Sequence, residues 1–254
     1  MRRMDMQEKT NGHALIFGAT GGMGKAIVRG LGQQGYRVTA VGRDEKHLAV
    51  MAQETQCDIH TLQRPSDFTR VEEIVAAANS TQPVSVIVNC LGSVWLKPSS
   101  ATSESDWSDL VSLHLSSCFG ITRAVAKKIR QPCKVVFFSS AAAQTGMPNH
   151  EAISAVKAGV EGLVRSAAAT YARRQLSFYA IAPGMVETGA TEHLLSSDAM
   201  KQLSAAQHPL GRIGQPDDIA KWVAAIINPH LQWASGMVLP VDGGLAHLRG
   251  LPRK

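Results

Sequence analysis

The sequence predicts an α/β fold with one parallel, doubly wound sheet, and three observations predict it. Short apolar runs alternate along the chain with segments whose apolar residues recur at helical spacing. A strand pattern at residues 14–17 runs straight into a glycine turn and then into a helix pattern. Glycines, an asparagine, a Ser-Ser pair and a Pro-Gly pair stand at the carboxyl ends of the apolar runs, where ligands bind in such sheets.

The first run, residues 14–17, is apolar throughout, as suits a strand covered on both faces. Gly18, Gly22 and Gly24 follow, and Met23, Ile27 and Leu31 then recur every four residues until Gly35 ends the helix. Residues 37–42 read as a second strand, about 44–55 as a helix and 58–63 as a third strand. A helix capped near Ser66 and carrying Val71, Ile74 and Ala77 leads to a fourth strand at 84–88, which ends in Asn89. One long helical segment is expected over about 105–130, then a fifth strand at 135–138 and a helix from His150 or Glu151 to about 174. The sixth strand, 177–181, runs into Pro183-Gly184, and a helical stretch over roughly 191–207 follows. A helix opens at Pro216-Asp217-Asp218, and residues 237–240 close the series.

At 254 residues with no linker, the chain reads as one domain over 13–254, preceded by a disordered segment over 1–12. Arg2 and Arg3 have no apolar stretch behind them, so a secretory signal is not expected. No apolar run approaches the roughly 18 residues of a membrane span. Cys57, Cys90, Cys118 and Cys133 have no metal-ligand spacing and read as reduced thiols, which points to the cytoplasm and to no metal. The formal charge of +6 comes from scattered basic residues, with pairs only at Lys127-Lys128 and Arg173-Arg174. A nucleic-acid partner is therefore not expected, and a solvated surface that attracts anionic ligands is.

The three glycines clear side chains from a tight turn and aim backbone N–H groups and a helix dipole at an anion, as a pyrophosphate requires. Gly18-x-x-x-Gly22-x-Gly24, Asn89-x-x-Gly92, Ser139-Ser140, Lys157, Pro183-Gly184 with Thr188, and Gly211-Arg212-x-Gly214 with Asp242-Gly243-Gly244 occur in one order and spacing. As a set they resemble the short-chain dehydrogenase/reductase family over about residues 13–245, and residues 206–244 resemble its ketoacyl-carrier-protein reductase branch. The resemblance implies a Rossmann-type seven-stranded sheet, a nicotinamide cofactor, a small-molecule substrate and, commonly, a homotetramer. It assigns Gly18, Thr20, Gly22, Met23, Gly24, Asn89, Gly92, Pro183, Gly184 and Thr188 to the cofactor. Lys157 would bond the nicotinamide ribose, and Ser140 would hold the substrate oxygen. The oligomer is expected on the long helices before the fifth strand and after Glu151, the latter carrying small residues at Ala155, Ala158, Gly159, Gly162 and 167–169 that suit close approach of a second helix or packing within the subunit.

Two departures fall on the chemistry. The family's Tyr, four residues before the Lys, is Ile153, which has no proton to give; an Asn in the family aligns with His114. His114 reads either as a member of the proton path or as a buried histidine bonded within a helix interface. His150 is the candidate replacement acid, because a helix that includes it would set residues 150, 153 and 157 on one face, and histidine can work as acid or base near neutrality. It is also similar to the tyrosine position of the enoyl-reductase branch, seven residues before the Lys. The bland reading is a capping or exposed histidine at the cleft mouth.

Cofactor choice turns on the end of the second strand. The family position for a ribose-binding carboxylate is Gly42, and Arg43 beside it could pair with a 2′-phosphate, whereas Asp44 has the spacing of a ribose ligand. NADP(H) is favoured over NAD(H). Two functions stay open: an NADP(H)-dependent oxidoreductase acting on a carbonyl or enone without the usual Tyr, or a cofactor-binding protein without redox turnover.

Overall fold

The computed structural model describes residues 11–249. The disordered start expected over 1–12 lies outside these residues except for Asn11 and Gly12, which are ordered. Seven parallel strands form one sheet in the order β3-β2-β1-β4-β5-β6-β7, the doubly wound arrangement. They are β1 (Gly12–Phe17), β2 (Tyr36–Gly42), β3 (Asp58–Thr61), β4 (Val84–Asn89), β5 (Cys133–Phe138), β6 (Leu176–Pro183) and β7 (Met237–Val241). The strand order reverses between β1 and β4, so both strands deliver their carboxyl-end loops to one crevice.

Helices cover both faces, which is why the central strands are apolar on both sides. On one face α3 (Phe68–Thr81), α5 (Ser117–Lys128) and α6 (Glu151–Tyr171) pack on Leu15, Ile87, Val135 and Phe178. On the other, α1 (Gly22–Gln33), α2 (Glu45–Thr55) and α8 (Pro216–Ile227) pack on Ile16, Val88, Val136 and Ile181. No helix among the described residues is long and apolar enough to cross a membrane.

Strand and helix ends shift by one to three residues, and three segments are built differently from expectation. The segment over 105–130 is not one α-helix: α4 (Glu104–Leu110) passes into a π-helical stretch, Val111–Ser116, and then into α5. The π stretch carries His114, and such wide turns occur mostly where a helix serves a site. Asp67, not Ser66, caps α3 by accepting the Arg70 N–H at 3.0 Å; Ser66 instead takes a hydrogen bond from Ser112 Oγ. The stretch over 191–207 divides into a 3₁₀ turn, Glu192–Leu194, and α7 (Asp198–Gln207), because Ser197 restarts the helix by capping the Met200 N–H.

Candidate active site

The glycine turn is built against its surroundings. Gly18 takes φ of +72°, and a Cβ there would stand 2.7 Å from the Cys90 carbonyl carbon. At Gly24 an added Cβ would lie 2.2 Å from the Gly18 carbonyl oxygen, so a side chain would push α1 off β1. Gly22 faces Thr188 across the crevice. No side chain caps α1 at Gly21, and its first turn holds no carboxylate. Its N–H groups and positive dipole end are thus left for an anion. Thr20 sits beside Gly42 at the end of β2.

Past β5, Ser140 caps a 3₁₀ turn, Ala141–Ala143, accepting the Ala142 N–H at 3.2 Å and keeping its O–H free to donate. Lys157, one α6 turn beyond Ile153, is buried and donates to the Phe138 carbonyl at 2.8 Å. Burial pushes its ammonium down to about 8. Glu161, a further turn along, accepts from Ser139 Oγ at 2.7 Å and Gln144 Nε2 at 3.1 Å. It clamps both ends of the Ser140 turn onto α6.

His150 lies at the N-cap of α6, not within it, so it precedes the face shared by Ile153 and Lys157. Its Nδ1 is 2.7 Å from the Pro148 carbonyl. A carbonyl only accepts, so Nδ1 carries a proton and Nε2 is the atom that can take up or give one. His114 is different. Its Nε2 accepts the Ser93 backbone N–H at 3.3 Å, which leaves the proton on Nδ1, a buried donor with no partner among the described residues. Burial, with the Lys157 charge second, drives its ring down to about 2, so His114 offers a fixed N–H and no titrating proton.

These parts line one cleft of about 570 Å³. It brings together Gly22, Met23, Gly24, Gly92, His114, Ser140, His150, Ile153, Lys157, Pro183, Gly184 and Thr188. Gly18, Thr20, Arg43 and Asn89 lie outside its lining. Asn89 in particular spends its side chain internally, donating to Ser117 Oγ and Cys118 Sγ and accepting the Leu91 N–H. It shapes the turn to Gly92 and does not face the cleft.

Over residues 18–246 the chain matches the family model described as Enoyl-(Acyl carrier protein) reductase. The 3-oxoacyl-acyl-carrier-protein reductase FabG of Staphylococcus aureus is 30% identical, over 91% of this chain and 97% of the relative. This chain is a member of the short-chain dehydrogenase/reductase family. Gluconate 5-dehydrogenase of Gluconobacter oxydans is 25% identical over 96% of this chain and 98% of that one. A crystal structure of an actinorhodin polyketide ketoreductase variant with NADPH superposes with a TM-score of 0.87 at 29% identity, covering 93% of this chain and 98% of its own.

Three residues in or behind this short-chain dehydrogenase/reductase cleft escape sequence reasoning. Glu161 is a carboxylate four residues past Lys157 on the inward face of α6, and that spacing is the signal that could have found it. His208 ties the end of α7 to the loop after β6, with Nδ1 on the Ser204 carbonyl at 2.8 Å and Nε2 accepting the Met185 N–H at 3.1 Å. Trp95 walls the cleft and packs beside Ile153. Nothing in the spacing of the last two marks them.

Proposed function

We propose that this chain is an NADP(H)-dependent oxidoreductase acting on a carbonyl or enone substrate without the usual tyrosine. The observation that carries the reading is the single cleft holding Ser140, Lys157 and His150 around Ile153. The cofactor fits the residues present. The glycine turn leaves no room for a Cβ at Gly18 or Gly24 and holds free N–H groups for a pyrophosphate. Asp44, the competing ribose ligand, is engaged as the cap of α2, accepting from the Lys46 and His47 N–H groups. Arg43 is exposed and has no ion pair among the described residues, leaving its guanidinium for a 2′-phosphate. The NADPH in the ketoreductase relative supports the same choice.

When bound, NADPH supplies the hydride. Ser140 holds the substrate oxygen by donating its O–H, and Lys157 holds the ribose end. His150, protonated on Nε2, gives that proton to the oxygen and returns to the neutral ring whose Nδ1–H stays on Pro148; in the reverse direction Nε2 takes the proton.

One observation favours a second reading, a cofactor-binding protein without redox turnover. Ile153 packs in an apolar cluster with Leu110, Ala152 and Val156, so the tyrosine position holds nothing ionisable. Replacing it, Ile153→Tyr, separates the two. NADPH oxidation by the wild type on a panel of carbonyls and enones supports the enzyme; oxidation only by the variant supports the binding protein. The protein acts in the cytoplasm on a small molecule, with neither nucleic acid nor membrane as partner, and assembles as a homotetramer through α6. Ala155 and Ala158 are exposed there and Gly162 meets nothing within 4 Å, which suits a second helix, whereas Gly159 packs on Leu115 and Ala167 and Ala168 lie in the subunit's own core. Sedimentation as a monomer at micromolar concentration would overturn the assembly.

A further inference from the structure

The catalytic end of the cleft is polar, but its outer walls are not. Among the described residues that line it there is no Asp, Glu or Arg and a single Lys, Lys157, at the cofactor end. Trp95, Leu96, Met147, Met200 and Leu203, drawn from three separate stretches of chain, form an apolar wall, with Ser204 and Gln207 of α7 beside it. Trp95 turns only its ring to a ligand, since its N–H is spent on Thr102 Oγ1 at 3.3 Å. Two lysines stand near this wall but outside the lining. Lys97 lies over the Trp95 ring at 4.5 Å from its centroid, and Lys201 pairs with Glu187 at 2.6 Å.

A substrate carboxylate or phosphate against this wall would therefore lose its water and meet no cation of the lining other than Lys157. Apolar matter has the opposite balance. Leu203, Met200 and Leu96 stand 68%, 41% and 37% exposed at the mouth, large apolar groups that a hydrophobic ligand would cover. The helix carrying two of them, α7, has no buried residue of its own. Met200 and Leu203 both line the cleft, so a ligand there would cover them.

We propose that the substrate of this cleft is an apolar, uncharged carbonyl compound with an alkyl chain or hydrocarbon ring, an inference that rests on the carbonyl chemistry proposed above. It separates this chain from any relative whose substrate is a sugar acid, as the name of the Gluconobacter dehydrogenase indicates for that protein.

The test uses the full chain saturated with NADP⁺, titrated calorimetrically with methyl ketones from 2-butanone to 2-decanone and with 4-oxopentanoate and 5-ketogluconate, while NADPH oxidation is followed separately. Affinity should climb by up to about fourfold per methylene until the cleft is filled, and the two charged ketones should bind at least about 100-fold more weakly than 2-octanone. Leu203→Asp, on an exposed helix position, should weaken 2-octanone about tenfold and leave NADPH affinity unchanged. A flat series, charged ketones bound as well as 2-octanone, or a neutral Leu203→Asp would overturn the proposal. The two readings fail separately. A rising series without NADPH oxidation upholds the substrate class and sinks the redox reading; turnover of 5-ketogluconate in preference to 2-octanone does the reverse.

Discussion

The glycine turn after β1 and the Ser140 turn after β5 serve the same cleft, but one is built from backbone and the other from side chains. At the glycine turn the requirement is absence: a Cβ at Gly24 would meet the Gly18 oxygen at 2.2 Å, so the site and the packing of α1 fail together. At the Ser140 turn the requirement is presence, and one member can be exchanged without disturbing the fold. Ile153 is 6% exposed and well packed, and α6 still delivers Lys157 to the Phe138 carbonyl. A backbone site is thus tied to stability, whereas a proton donor can move to a neighbouring residue.

The strongest test of that contrast is His150→Ala. If Nε2 is the proton donor, turnover should fall by roughly 10²- to 10⁴-fold while NADPH affinity, set at the glycine turn, stays within about twofold. Steady-state kinetics paired with fluorescence titration reads both, and unchanged turnover would remove His150 from the chemistry.

Lys157 sharpens the comparison through pH. Burial lowers its ammonium from 10.5 to about 8 in the folded protein, so the unfolded chain holds the proton over that window and stability rises with pH across it. Below about 8 both states are charged and the folded protein carries the full cost, about 3 kcal/mol. Lys157→Met should therefore be the more stable protein near pH 7, less about 1 kcal/mol for the bond lost to Phe138. Its advantage should shrink towards pH 10, and parallel denaturation curves at several pH values would contradict this.

Arg43→Ala touches a side chain at the edge of the backbone site. Loss of a charge-assisted contact to a 2′-phosphate should weaken NADPH by about 1.5–3 kcal/mol and leave NADH unaffected. Titration of both cofactors decides it, and equal losses for the two would reassign Arg43 to the surface. The smallest effect is expected at Glu161→Gln, which keeps acceptors for Ser139 and Gln144 but removes the charge. Thermal unfolding should report about 1 kcal/mol of lost stability with NADPH affinity intact.

The strands and the glycine turn are legible in the sequence because they rest on local rules: apolar runs of strand length, helical spacing, and turns where only glycine fits. Seven runs were expected and seven parallel strands form. Where local rules compete, boundaries slip by the reach of one cap, as at Ser66 and Asp67, or by the width of a π turn around His114.

What the sequence determined by itself is therefore the sheet, the family and the residues brought to the strand ends. Tertiary structure alone decided what those residues can do. The protonated nitrogen of His150 depends on the Pro148 carbonyl, and that of His114 on the Ser93 N–H, 21 positions away. Asp44 is held as the cap of α2, and Lys157 titrates low because the fold buries it. The apolar outer wall gathers residues from 95 to 203, which no periodicity links. The physical reason is range: propensity and packing pattern act between near neighbours in the chain, whereas protonation, desolvation and the shape of a cleft are set by whatever the fold brings alongside.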